Sequence, residues 1–289
     1  MQISITPPER QLAIKLKDGR TLGWREWGPV NGTPILFCTG AAMSGHLGFG
    51  FDVLPKLGLR LLAIDRPGLG CSSHHQNKSL ASWVDDVEKI LKFIYANSVH
   101  VVGFSQGAPF ALALAARGLT CRVAIVSGQD QLYHSSMRPL LIPDMQQMLN
   151  TIERDPDGFE NHIAETFTIE QMWNMVMNMN GERDREVYEN PAFKAVYRRA
   201  LEDGFSQGTK GYARDLILAL SNWGFDVETL RLPIDLWYGR LDTSPVHSPD
   251  FGVTLANRLP QASLHTLDDE GGSLLWTRSP EILETLISH

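Results

Sequence analysis

The chain has no apolar run approaching the roughly 20 residues a membrane-spanning helix needs, and Met1 to Arg10 hold no apolar signal core. Cysteine is scarce. Cys38, Cys71 and Cys121 lie far apart, cannot all pair and show no Cys-x-x-Cys spacing, which argues against a disulfide framework and a zinc ribbon. Positive charge is also short: 26 Lys and Arg face 33 Asp and Glu, for a net charge of −7. That balance leaves no basic footprint for nucleic acid or an anionic membrane surface. No nucleotide, flavin or metal motif appears, so no cofactor is expected. His74-His75 is a loop pair without a third ligand at metal spacing. These absences set the expectation of a cytoplasmic protein whose partner is a small molecule. With 289 residues, 43% hydrophobic and 20% charged, the chain suits one large α/β core, alone or with a smaller lid.

What is present reads as strands alternating with helices. Residues 11–27 alternate apolar and polar around Asp18-Gly19, a hairpin signature. Pro34–Cys38, Leu59–Ile64 and Val123–Val126 are short continuous apolar runs, as expected of strands buried on both faces of a parallel sheet. Between Ser79 and Tyr95, Leu80, Trp83, Val84, Val87, Ile90, Leu91 and Ile94 recur at helical spacing, with Ser79 as the N-cap. The pattern predicts right-handed crossovers and a doubly wound sheet. From 129 to 213 the alternation stops in favour of helical patterns rich in Met, Glu, Arg and aromatics. Met172, Met175, Met177 and Met179 surround Trp173 there, either as adaptable core packing or as a flexible apolar pocket wall. Alternation returns with an amphipathic Asp215–Trp223, strands at Pro233–Gly239 and Ala262–Leu267, and a last helix capped by Ser279. The expected division is a core of 1–128 and 214–289 interrupted by a helical cap of 129–213.

One stretch carries the chemistry. Gly103-Phe104-Ser105-Gln106-Gly107 follows the apolar Val101-Val102 and opens a helical pattern at Ala108. Gly-x-Ser-x-Gly at a strand-to-helix turn is a nucleophile elbow: the turn is too sharp for side chains at the flanking positions, and the serine is left strained and exposed. A serine needs a base, and the base an orienting acid, in the chain order serine, acid, histidine. Asp242, in the loop after Pro233–Gly239, stands where such sheets place functional groups, though an aspartate in a turn also bonds its own backbone. Asp130 is a second acid candidate.

These motifs together resemble the α/β-hydrolase family over nearly the whole chain, and most of all its bacterial members with a helical cap between core strands six and seven. The matching residues are Thr39-Gly40-Ala41-Ala42, Asp65-Arg66-Pro67-Gly68-Leu69-Gly70-Cys71-Ser72, Gly103–Gly107, Gly211–Asp215, Trp223-Gly224-Phe225-Asp226 and Pro233–Asp242. The resemblance implies Ser105 as nucleophile, Asp242 as acid, and the backbone amides of Ala41 and Gln106 as an oxyanion hole. Two departures stand out. Thr39-Gly40 replaces the family's His-Gly. The Gly-His expected after the last strand reads Asp269-Glu270-Gly271-Gly272-Ser273, so the histidine position falls on Gly272 or Ser273.

Of the nine histidines, only His247, His265 and His289 follow Asp242. His265 lies inside a strand pattern and His289 ends the chain. His247, five residues beyond the acid, is the better substitute base, with His46 after the Thr39–Ala42 loop as another. Loss of the histidine in a serine protease costs on the order of 10⁶ in kcat, while an oxyanion hole and binding still leave roughly 10³–10⁴ over water. The chain is therefore read as a serine hydrolase of an ester, thioester or amide in a small apolar substrate, with the usual catalytic histidine missing and its base degenerate or displaced. The competing reading is a catalytically silent binding or sensing protein. A deliberate replacement of the histidine to trap a ligand ranks third, and lyase or cofactor-free oxygenase chemistry last.

Overall fold

Apolar residues that alternate between two faces of the same strand place the sheet at the centre of the molecule. The structure is a computed structural model and describes residues 4–288. In β3 (Thr33–Cys38), Ile35 and Phe37 enter one core while Leu36 and Cys38 enter the other, and in β5 (Val99–Phe104) Val102 and Phe104 oppose Val99 and Val101. A strand apolar on both faces needs helices on both faces, and each side is covered. The remaining strands are β1 (Arg10–Lys15), β2 (Thr21–Trp27), β4 (Leu59–Ile64), β6 (Thr120–Val126), β7 (Ile234–Gly239) and β8 (Ala262–Leu267). They form one eight-stranded sheet in the order β1-β2-β4-β3-β5-β6-β7-β8. The β1–β2 and β2–β4 pairs are antiparallel and all the others parallel, which is the doubly wound, mostly parallel sheet expected.

The helices follow their sequence signals. Helix α1 (Leu80–Phe93) starts at Ser79, whose hydroxyl accepts from the Ser82 amide while Ser82 Oγ accepts from the Ser79 amide. Helix α2 (Gly107–Ala116) is apolar all round and buried from Gly107 to Ala115, because it lies between the sheet and α1. Between β6 and β7 the chain forms α3 (Pro143–Arg154), α4 (Pro156–Thr166), α5 (Ile169–Met179), α6 (Glu182–Tyr188), α7 (Pro191–Gly204) and α8 (Lys210–Leu220), with no strand among the described residues. Helix α8 runs unbroken through residue 213, and begins five residues before the expected Asp215. The chain closes with α9 (Val253–Arg258), α10 (Leu274–Thr277) and α11 (Ser279–Ile287). Ser279 is not the cap of α11. Arg278 ends α10 and opens α11, so Ser279 falls in the first helical turn and Arg278 caps without a side-chain hydrogen bond. No described helix is long and apolar enough to cross a membrane.

One buried cluster ties α8 to the loops at the sheet's carboxyl edge. Arg66, Lys78 and Asp215 are each fully buried. Arg66 Nε donates to Asp215 Oδ2 at 2.8 Å, and Lys78 Nζ lies 2.5 Å from Asp215 Oδ1. The rest of the guanidinium donates to Thr39 O at 2.6 Å and Gly40 O at 2.9 Å, and Lys78 Nζ donates to Pro67 O at 2.7 Å. Burial pulls the Lys78 amine down to about 8, against the opposing charge of Asp215. One carboxylate thus serves two buried cations. Removing one partner of such a group leaves unpaired buried charge, at about 3–5 kcal/mol. Asp215→Asn is therefore expected to lower stability by about that amount in urea unfolding, with Lys78→Met added to it recovering a measurable part. An Asp215→Asn protein as stable as the parent would refute this account.

Candidate active site

Ser105 sits between β5 and α2 with φ of 50°, in the left-handed region that non-glycine residues rarely occupy. The glycines on either side admit no side chain. A Cβ at Gly107 would lie 2.0 Å from Cys38 O, and one at Gly103 would lie 2.8 Å from the Ala111 methyl. The Ser105 amide donates to Val126 O at 3.2 Å and its carbonyl accepts from the Gln129 amide at 3.0 Å, so neighbouring β6 holds the turn in place.

His247 stands directly over this serine. Its Nε2 is 2.9 Å from Ser105 Oγ and its Nδ1 is 2.6 Å from Asp242 Oδ2. A carboxylate only accepts, so Nδ1 carries the proton toward Asp242, and the Nε2 lone pair of the neutral ring is left for the serine hydroxyl. Asp242 Oδ1 accepts from the Ser244 amide at 2.9 Å. The loop that carries both groups is pinned. The Ser248 amide donates to Gly128 O at 3.1 Å, while Ser248 Oγ contacts Asp130 Oδ2 at 3.2 Å and accepts from the Gly252 amide at 3.0 Å. Asp130 therefore supports the loop through Ser248. Burial raises its pKa to about 6.

The other sequence candidates lie elsewhere. His46 places Nδ1 3.3 Å from Asp203 Oδ2 and does not line the cavity at Ser105. His265 stacks on Trp237 at 4.0 Å between ring centroids and reaches Asp235 Oδ1 at 3.1 Å. His289 lies outside the described residues. Gly272 and Ser273 form a buried turn in which a Cβ at Gly272 would lie 3.0 Å from both Asp242 carboxylate oxygens, a tight fit for any side chain. Ala41 and Gln106 line the cavity, and neither backbone amide has a hydrogen-bond partner among the described residues.

One site residue gave no signal in the sequence. Asp184 of α6 is fully buried and accepts from the Gly272 amide at 3.0 Å and the Ser273 amide at 2.7 Å. Burial raises its pKa and the charge of Asp242 adds to that, against hydrogen bonding from the Ser273 side chain and from the Ser273 and Gly272 amides. For His247, burial alone would lower the pKa. The charge and hydrogen bond of Asp242, with the charge of Asp184 behind them, outweigh it and carry the pKa above 6.5.

A cavity of about 190 Å³ opens on Ser105 and His247. Its walls come mostly from the helices between β6 and β7, with Met145, Met172, Met175, Met179 and Phe167 among them. The methionine group thus divides: Met175 and Met179 face the cavity, Met177 packs against the core, and Met172 does both.

The sequence profile of the α/β hydrolase fold matches residues 33–278. An uncharacterized hydrolase of Bacillus subtilis, YcgS, is 35% identical over 98 residues, which is 34% of this chain and 34% of that protein; the chain's match thus spans about a third of that relative's length. Among solved structures, the enol-lactonase from Burkholderia xenovorans LB400 superimposes with a TM-score of 0.71 at 17% identity, over 95% of this chain and 98% of that one. The esterase EaEST from Exiguobacterium antarcticum gives a TM-score of 0.63 at 12% identity, over 95% and 97% of the two chains.

The charge arrangement around His247 makes a prediction independent of turnover. NMR titration of the His247 ring should give a midpoint above 6.5, and Asp184→Asn, by removing a negative neighbour, should move that midpoint to lower pH. A midpoint unchanged in Asp184→Asn would show that Asp184 carries no charge toward the ring.

Proposed function

The chain belongs to the α/β-hydrolase fold family, and from that premise we propose that it is a serine hydrolase of ester, thioester or amide bonds in small, partly apolar substrates. The observation that supports this reading most is the continuous chain of contacts from Ser105 Oγ through His247 to Asp242, at 2.9 and 2.6 Å. In this reading Ser105 Oγ attacks the substrate carbonyl carbon while His247 Nε2 takes its proton. The backbone amides of Ala41 and Gln106 receive the oxyanion that develops. His247 then returns the proton to the leaving group, and a water deprotonated by the same ring releases the acyl group from Ser105. Asp242 holds the ring in its tautomer and stabilises the imidazolium.

The histidine is thus displaced in sequence rather than lost. His247 takes the role that the family assigns to the Gly272 or Ser273 position. Residues 129–213 act as the cap, since their helices supply the apolar wall over Ser105. Arg66 is a positioning residue: its bonds to Thr39 O and Gly40 O hold the loop that carries the Ala41 amide.

A fluorophosphonate probe tests the reading. The unaltered protein should be labelled at Ser105, and Ser105→Ala should not. His247→Ala should lower both labelling and the hydrolysis of a short 4-nitrophenyl ester by at least about 10³-fold. Adding Ser273→His to His247→Ala should not restore the rate, because Asp184 and Asp242 already fill that turn. Full labelling of His247→Ala, or none of the parent, refutes the proposal.

A further inference from the structure

The cavity that opens on Ser105 is lined mostly by apolar side chains; besides Ser244 and the phenols of Tyr188, Tyr197 and Tyr212, three amide side chains that the proposed chemistry does not use line it. Gln106, Gln129 and Asn180 line it, and their exposures are 3%, 3% and 7%. Gln106 Oε1, Gln129 Nε2 and Asn180 Oδ1 have no hydrogen-bond partner among the described residues. Buried polar atoms are nearly always paired, and each is costly to leave unpaired in an apolar wall. Two of these residues flank the nucleophile: Gln106 follows it in sequence, and the Gln129 backbone amide donates to Ser105 O at 3.0 Å. No lysine, arginine, aspartate or glutamate lines the cavity, so a charged substrate group would be desolvated there without a counter-ion. At about 190 Å³ the cavity is also smaller than the roughly 300–1,000 Å³ of a drug-sized site.

We infer that the substrate is a small, uncharged ester or lactone whose acyl part carries a second oxygen acceptor, and that the Gln129 side-chain amide recognises that oxygen. This rests on the serine-hydrolase reading of Ser105, since the acyl part is the portion that becomes bonded to the serine and so comes within reach of residues beside it. A keto or ether oxygen accepts from Gln129 Nε2 without bringing a charge into the cavity. An acyl chain of the same length without that oxygen leaves the amide unpaired. Sites built around such a hydrogen bond discriminate strongly against the analogue that lacks it.

The test compares kcat/KM for two isosteric pairs, 4-nitrophenyl methoxyacetate against butanoate and 4-oxopentanoate against pentanoate. Intrinsic reactivity differs within each pair, so the readout is the ratio in the unaltered protein divided by the ratio in Gln129→Met. That quotient is expected to be at least about tenfold in one pair, the size of one lost hydrogen bond to a neutral partner. In the unaltered protein, 4-nitrophenyl hemisuccinate, which carries a carboxylate, should be hydrolysed at least about 100-fold less efficiently than the 4-oxopentanoate. Quotients near one in both pairs, or hemisuccinate accepted as well as the neutral ester, overturn the inference and leave the hydrolase reading standing. So does labelling of Ser105 by a fluorophosphonate in a protein that turns over none of these esters. Absence of both labelling and hydrolysis overturns the two together.

Discussion

The site depends on one short stretch of backbone: the loop from Asp242 to His247 must present a carboxylate and an imidazole to each other and to Ser105 at once. The 2.6 Å contact between Asp242 and His247 is made within that loop, and the 2.9 Å contact to Ser105 crosses from it to the β5–α2 turn. Neither contact survives a shift of an ångström, so the loop has to be rigid. Its rigidity comes from the sheet. The Asp242 amide bonds Gly239 O at the end of β7, the Ser248 amide bonds Gly128 O just beyond β6, and Ser248 Oγ links Asp130 to the Gly252 amide, so both ends of the loop are fixed to the same carboxyl edge that fixes Ser105. Acid and base on one loop move as a unit, and only the distance from that unit to the serine remains to be set.

With His247 in contact with Ser105, the turn at Gly272 and Ser273 is put to another use. Their amides point at Asp184, a carboxylate carried by α6 from the inserted helices, and Gly271 and Gly272 leave no room for side chains between the acids. The inserted helices are thereby clamped onto the core within reach of the site. The charges of two carboxylates, Asp184 and Asp242, then act on the imidazole, and both favour its protonated form. An imidazolium is what the proposed mechanism forms after the serine proton is taken. The same charges stabilise that state and tune how basic the resting ring is.

Where the sequence was legible, the signal was local. Continuous apolar runs marked β3, β4 and β6, the Ser79 cap marked α1, and glycines two residues either side of Ser105 marked the sharp turn, because each pattern reflects forces within a few residues. The Ser279 cap misled for the complementary reason: Arg278 already belonged to the end of α10, which only the packed structure decides. His247 was visible as a histidine near the right end of the sheet. What was not visible was that the loop turns back over Ser105, since the contacts that do this join residues 118 and 120 positions apart. Asp184 was hidden further. In the run Glu182-Arg183-Asp184-Arg185-Glu186 it looks like one more surface charge, and nothing local sets it apart from its neighbours.

The Arg66, Lys78 and Asp215 cluster shows why such long-range polar contacts are kept in an otherwise apolar interior. A buried carboxylate shared by two cations gives little net stability against a hydrophobic alternative. It does give direction. Arg66 can satisfy Asp215 on α8 only while its remaining N–H groups reach the carbonyls of Thr39 and Gly40, so the helix that returns from the insertion fixes the loop bearing the Ala41 amide. An apolar side chain at 66 could fill the same volume without specifying where those carbonyls lie. The two loops flanking Ser105 are thus positioned by separate polar networks, one through Asp215 and one through Asp130, and both networks end on the same serine turn. A serine held in a strained turn, approached from two independently fixed sides, is what distances of this accuracy require.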